Sequence, residues 1–161
     1  MRSLPLAIAA GFAFGALLGA ASAGAATAHR TITIRFYSKV VVSREFSSSG
    51  KPLASGTRPA RGDYTIAADD DYAGTFKSHS KRQIGSDFLR CVFENTTAEA
   101  NCAGVITIGN SLIYLVFDQN FTKFTATSTF AIRGGTGIYA GATGTVVSGA
   151  TSNFVVRLTT G

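Results

Sequence analysis

The chain reads as all-β, and three observations carry that reading. Short stretches alternate apolar and polar residues with period two. Glycine, of which there are 18, and threonine are abundant, and turn residues separate these stretches. Nothing beyond the first 26 residues has the apolar spacing of an amphipathic helix.

The elements follow in order. Thr31 to Phe36 alternates strictly, with Ile32, Ile34 and Phe36 on one face, and Val40-Val41-Val42 continues it. Ser47 to Gly62 is a loop of serine, glycine, proline and scattered charge, long enough for a flap or a protomer contact. Tyr64 to Ala68 is a short strand running into Asp69-Asp70-Asp71-Tyr72, and Phe76 to Gly85 reads as a polar turn region. Phe88 to Glu94 and Ala103 to Ile108 form a hairpin. Ser111 to Phe117 and Phe124 to Ile132 form another, linked through Asp118-Gln119-Asn120. Thr145 to Ser148 and Phe154 to Leu158 close the chain. About eight short strands separated by turn residues fit a closed antiparallel barrel or a sandwich. An eight-strand barrel is wide enough for packed side chains or for one small ligand.

The first 26 residues read as a signal peptide. Met1-Arg2 is basic, Leu4 to Ala20 is apolar, and Ala21-Ser22-Ala23 or Ala23-Gly24-Ala25 supplies the small-residue cleavage pattern near Ala23 or Ala25. The apolar run is short and Ala/Gly-rich for a spanning helix, so no stable membrane insertion is expected once it is removed. Residues 27–161 then make a single secreted domain with room for one core.

The formal net charge is +6, and its positives cluster early. Arg30, Arg35, Lys39, Arg44, Lys51, Arg58 and Arg61 face only Glu45 in that interval. Such a stretch serves either an acidic partner or plain solvation. No aromatics interleave with these charges as a single-strand binder requires, so nucleic acid is not an expected partner.

Cys91 and Cys102 are the two cysteines. In an exported protein a close pair forms a disulfide, and pairing symmetric about Thr96-Thr97 sets them opposite each other. His29 and His79 are isolated and no Cys-x-x-Cys occurs, so no metal site is expected. Asp69-Asp70-Asp71 is the densest charge. On a strand Asp69 and Asp71 share one face and Asp70 takes the other, which brings a carboxylate to a barrel mouth beside Tyr72. Burial there raises its pKa and equips it for acid/base work. Ser78-His79-Ser80 lacks a Gly-x-Ser-x-Gly elbow, and Arg61-Gly62-Asp63 is explained by a turn opening the next strand.

The run Gly134-Gly135-Thr136-Gly137-Ile138-Tyr139-Ala140-Gly141-Ala142-Thr143-Gly144 joins strand to strand, which argues against a phosphate loop. It resembles the signature of the allene oxide cyclase and dirigent barrel families. Other matches occur in order between Gly62 and Gly144. Gly62-Asp63 resembles the start of a cyclase block, and Asp69 to Gly74 is similar to the cyclase Asn-x-Leu-Tyr-x-Gly. Asp69-Asp70 equally looks like the Asp-Asp of the dirigent Phe-Asp-Asp-Pro. Gly85 and Cys91-Val92 match the cyclase glycine and pocket cysteine, and Ala131-Ile132 leads into the glycine run.

The resemblance implies an eight-stranded antiparallel β-barrel with an apolar cavity, often assembled as a trimer. It also implies action without a metal or organic cofactor on a small, largely apolar molecule whose ring closure, isomerisation or coupling is steered. Asp69 becomes the group acting on the substrate, and Asp70 and Tyr72 become ligand contacts. Cys91 is either a pocket thiol or half of the Cys102 disulfide. Gly134, Gly135, Gly137, Gly141 and Gly144 become structural. Two departures accompany this. Thr31 to Val42 holds no carboxylate where the cyclases carry a glutamate, and Thr143 stands where dirigent proteins usually carry arginine. They leave room for a barrel that binds a hydrophobic ligand without catalysis, or for a structural extracellular module.

Overall fold

The computed structural model describes residues 29–96, 98–123 and 127–161. The leader expected over residues 1–26 and the aromatic Phe124 lie outside the described residues. Eight strands follow one another around a closed barrel: β1 (Arg30–Phe46), β2 (Tyr64–Thr75), β3 (Ser78–Phe93), β4 (Glu99–Ile108), β5 (Ser111–Asn120), β6 (Ser128–Gly135), β7 (Thr143–Gly149) and β8 (Asn153–Thr160). Each pairs antiparallel with its chain neighbours, and β8 returns to β1, so no sheet edge is left open. Among the described residues the strands are joined by loops and short 3-10 turns, and no helix is long and apolar enough to cross a membrane.

Period-two alternation decides which side chains enter the barrel. On β1, Phe36 and Ser38 are buried inside, with Ile32 and Ile34 partly buried in the same row. The alternation shifts at an irregularity between Val40 and Val42, leaving Val40 and Val41 exposed. Phe36, Ile106, Ile113, Ile132, Val146, Val156 and Leu158 then fill the half of the barrel near the β4–β5 and β6–β7 turns. A second apolar cluster, built from Cys91, Phe93, Ala98, Ala100 and Cys102, sits in the β3–β4 hairpin.

The expected turn region over Phe76 to Gly85 is mostly strand. β2 extends to Thr75 and β3 begins at Ser78, so the hairpin is longer and its turn tighter than composition indicates. Gly74, at φ +114°, lies so close to the Ser78 carbonyl that a Cβ would collide with it. The glycine run divides: Gly134 and Gly135 end β6, Gly137 opens a 3-10 turn that buries Tyr139, Gly141 follows, and Gly144 lies in β7.

Candidate functional site

The half of the barrel nearer the β1–β2 loop is not filled. It encloses a cavity of about 150 Å³. Its wall is largely apolar, with Leu89, Ile106, Leu115, Phe117, Phe130, Val146 and Phe154 contributing. The Phe117 and Phe130 rings pack with centroids 4.0 Å apart, and Phe154 stacks on Phe36 at 5.3 Å. Gln119, Phe121 and Ser148 lie toward the loop end, and Asp69 and Asp87 bring carboxyl groups to the wall.

Strand register explains why carboxyls meet there. Val40 on β1, Asp69 on β2, Asp87 on β3 and Ile106 on β4 stand in one cross-strand row. Ser38, Asp71 and Gly85 make up the next row. Asp69 and Asp87 are thus directly opposed on the inner face, and Asp71 is diagonal to Asp87, within side-chain reach. The Ser38 hydroxyl lies 2.6 Å from Asp71 Oδ1 and 3.1 Å from Asp87 Oδ2.

Ser38 has one proton and stands between two carboxyl groups. It donates to Asp71 at the shorter distance. Asp71 is fully buried, and its Oδ2 and the Oδ1 of Asp69 have no donor from the surrounding protein. A proton held on Asp87 beside Asp71 lowers the charge that the pair must bury. Burial, then the charges of Asp71 and Asp69, push the Asp87 carboxyl up to about 8. Burial also raises Asp71, to about 6, against the lowering effect of its hydrogen bonds from Ser38 and Asp87. Asp69 is raised by burial first and by the Asp70 charge second. These groups titrate as a set sharing protons, and Asp87 on the cavity wall holds its proton through neutral pH.

Of the sequence-derived candidates, Asp69 reaches the cavity and Asp71 supports it from beneath. Asp70 and Tyr72 take the outer face through the same alternation. Asp70 Oδ1 accepts a hydrogen bond from Gln83, and Tyr72 packs near His79, so neither is in the cavity wall. Cys91 borders the cavity but has no thiol to offer: it is disulfide-bonded to Cys102 directly across the β3–β4 pair, Cα atoms 4.0 Å apart. Tyr139 is buried in the filled half, and Phe88 and Tyr114 show 44 % and 40 % of their surface outside. Ser38 and Asp87 were missed. The available signal was parity, since Asp87 precedes Leu89, Cys91 and Phe93 in steps of two. Among the described residues no group of three metal-ligating side chains is placed to hold an ion.

No protein-family model matches the chain, and no curated protein matches it. Solved structures do. A pyocyanin demethylase aligns with TM-score 0.60 and 24% identity, over 79% of this chain and 99% of that one. A pterocarpan synthase dirigent protein aligns with TM-score 0.53 and 12% identity, over 82% of each chain. A second such dirigent protein gives 0.50 and 11%, over 83% of this chain and 93% of its own. In fold, the chain is a dirigent-like barrel enclosing a cavity. The likeness does not single out the allene oxide cyclases.

Proposed function

We propose that this protein is an exported, cofactor-free barrel that binds a small, largely apolar molecule and steers its isomerisation or cyclisation by proton transfer. The observation that carries the reading is the opposition of Asp69 and Asp87 on the wall of an otherwise apolar cavity. One carboxyl holds a proton near neutrality and the other stands beside it with an oxygen awaiting a donor. A bound molecule is protonated by Asp87 at one atom and deprotonated by Asp69 at another, while the enclosing wall fixes its pose and excludes water. The named activities of the structural neighbours, pyocyanin demethylation and pterocarpan synthesis, support small-molecule chemistry in a barrel of this shape. The glycine run and the Asp69–Gly74 block keep the allene oxide cyclase resemblance within this proposal. The Cys91–Cys102 bond fits an oxidising compartment and so supports export.

Native mass spectrometry of the oxidised protein from its own culture medium identifies the ligand, which then serves in a turnover assay. Asp69→Asn is expected to lower turnover by about 100-fold or more while the ligand still binds. Full turnover by this variant would sink the acid/base role. A second reading, a carrier that binds without converting, is favoured by one feature: the inward row of β1 offers Ser38 and no carboxylate. Ligand recovered unchanged after prolonged incubation selects it.

A further inference from the structure

The cavity wall carries more carboxyl groups than the protein around it supplies with counter-charges. Asp69 and Asp87 line it and Asp71 lies against them, yet no lysine, arginine or histidine is among the lining residues. Lys39 pairs in register with the outward-facing Asp70, so its side chain leaves the barrel on the other side. Asp71 is wholly buried with Oδ2 unmet, and the unmet Oδ1 of Asp69 belongs to a residue of the cavity wall. An ionised carboxylate buried without a counter-charge is costly, so the group takes up either a proton or a cation. Elsewhere the wall of the same cavity is aromatic, with Phe117, Phe130 and Phe154 contributing rings. Such surface attracts a positive charge and packs against flat rings.

We propose that the ligand of this cavity is an aromatic cation, a planar ring system whose positively charged nitrogen is set against Asp69 and Asp87. The inference rests on the reading of the cavity as a small-molecule site and specifies the chemical class it takes. Proton and ligand then compete for the same carboxylates. The titratable groups facing that position are Asp69 and Asp71 from β2 and Asp87 from β3. β1 contributes Ser38, β4 Ile106, β5 Gln119 and β7 Ser148, none of which titrates. Cation binding therefore expels protons from the carboxyl set and tightens as pH rises.

Titration calorimetry on the oxidised full chain tests this with three probes of one size: 1-methylquinolinium, its uncharged isostere 1-methylnaphthalene, and 1-naphthoate. At pH 8 the quinolinium is expected to bind at least about tenfold tighter than the isostere, and naphthoate weakest. The preference should grow between about pH 5 and 9. The quinolinium nitrogen has no proton to lose, so buffer-dependent heat reports protons released by the protein itself. Asp69→Asn, and separately Asp87→Asn in case one variant folds poorly, should erase the preference while 1-methylnaphthalene still binds. Equal affinity for cation and isostere, or tightest binding by naphthoate, overturns the inference and leaves the small-molecule site standing. Binding of none of the three overturns both.

Discussion

Asp87 is the residue on which the proposed proton transfer turns. It faces Asp69 across one strand pair and shares Ser38 with Asp71. Its raised pKa means that the fold favours the protonated form. The unfolded chain ionises first, near the ordinary carboxylate value, so this contribution to stability is complete below about pH 4. It is then lost as pH rises through about 6 for Asp71 and about 8 for Asp87. Melting temperature is accordingly expected to fall by several degrees between pH 5 and pH 9. Asp87→Asn, which keeps a neutral group of the same shape, should flatten that slope. A wild-type profile that rises across this range would contradict the shared-proton arrangement. Parity alone placed Asp69 and Asp71 together on an inner face. The partnership of Asp71 with Ser38 spans 33 positions in sequence, and it rests on β1–β2 register, which no local pattern encodes.

At the scale of elements, strand number and order were legible, because alternation and turn residues are local signals. Their lengths were not. β2 continues through Asp69-Asp70-Asp71, and β3 starts ten residues before Phe88, because cross-strand pairing holds polar stretches extended that composition assigns to turns. The cysteine hairpin and the glycine run behave as their sequences indicate. The Cys91–Cys102 bond closes a short loop, and replacing both residues with alanine is expected to cost about 2–3 kcal/mol in denaturant unfolding. Gly144 is the more demanding position. Its φ is +143°, and a Cβ there would run into the Arg157 carbonyl of the paired strand β8. Gly144→Ala should therefore destabilise the barrel by about 2 kcal/mol or more, read from the same unfolding curves. Gly141→Ala tests the distinction between crowding and conformation, since φ is +69° but nothing lies near its missing Cβ. It should cost about 1 kcal/mol. Equal losses at the two positions would show that crowding against β8 adds nothing.

The whole molecule is polarised inside and out. One half is packed with aliphatic side chains, the other holds a cavity, and the carboxyl cluster lies between them. The outer wall of β1 to β5 carries an apolar row in which Val42 pairs with Ala68, Ala68 with Phe88, Phe88 with Val105, and Val105 with Tyr114. Val116, 51 % exposed, extends it in the next row. A folded chain that leaves so much adjoining apolar surface in water gains by covering it. Arg44 and Arg90 stand in the row of Val116, and Asp118 in the row beyond, so a second copy can offer opposite charge along with apolar contact. Association of copies through this wall is thus expected, with light scattering giving a mass above the monomer at micromolar protein. Paired substitution of Tyr114→Glu and Val116→Glu should return the monomer mass. Because both side chains point away from the lumen, the variant also separates assembly from cavity function. Probe binding that survives in the monomer would mean that each barrel is complete alone, whereas binding lost along with assembly would mean that a neighbouring copy braces the cavity wall from outside.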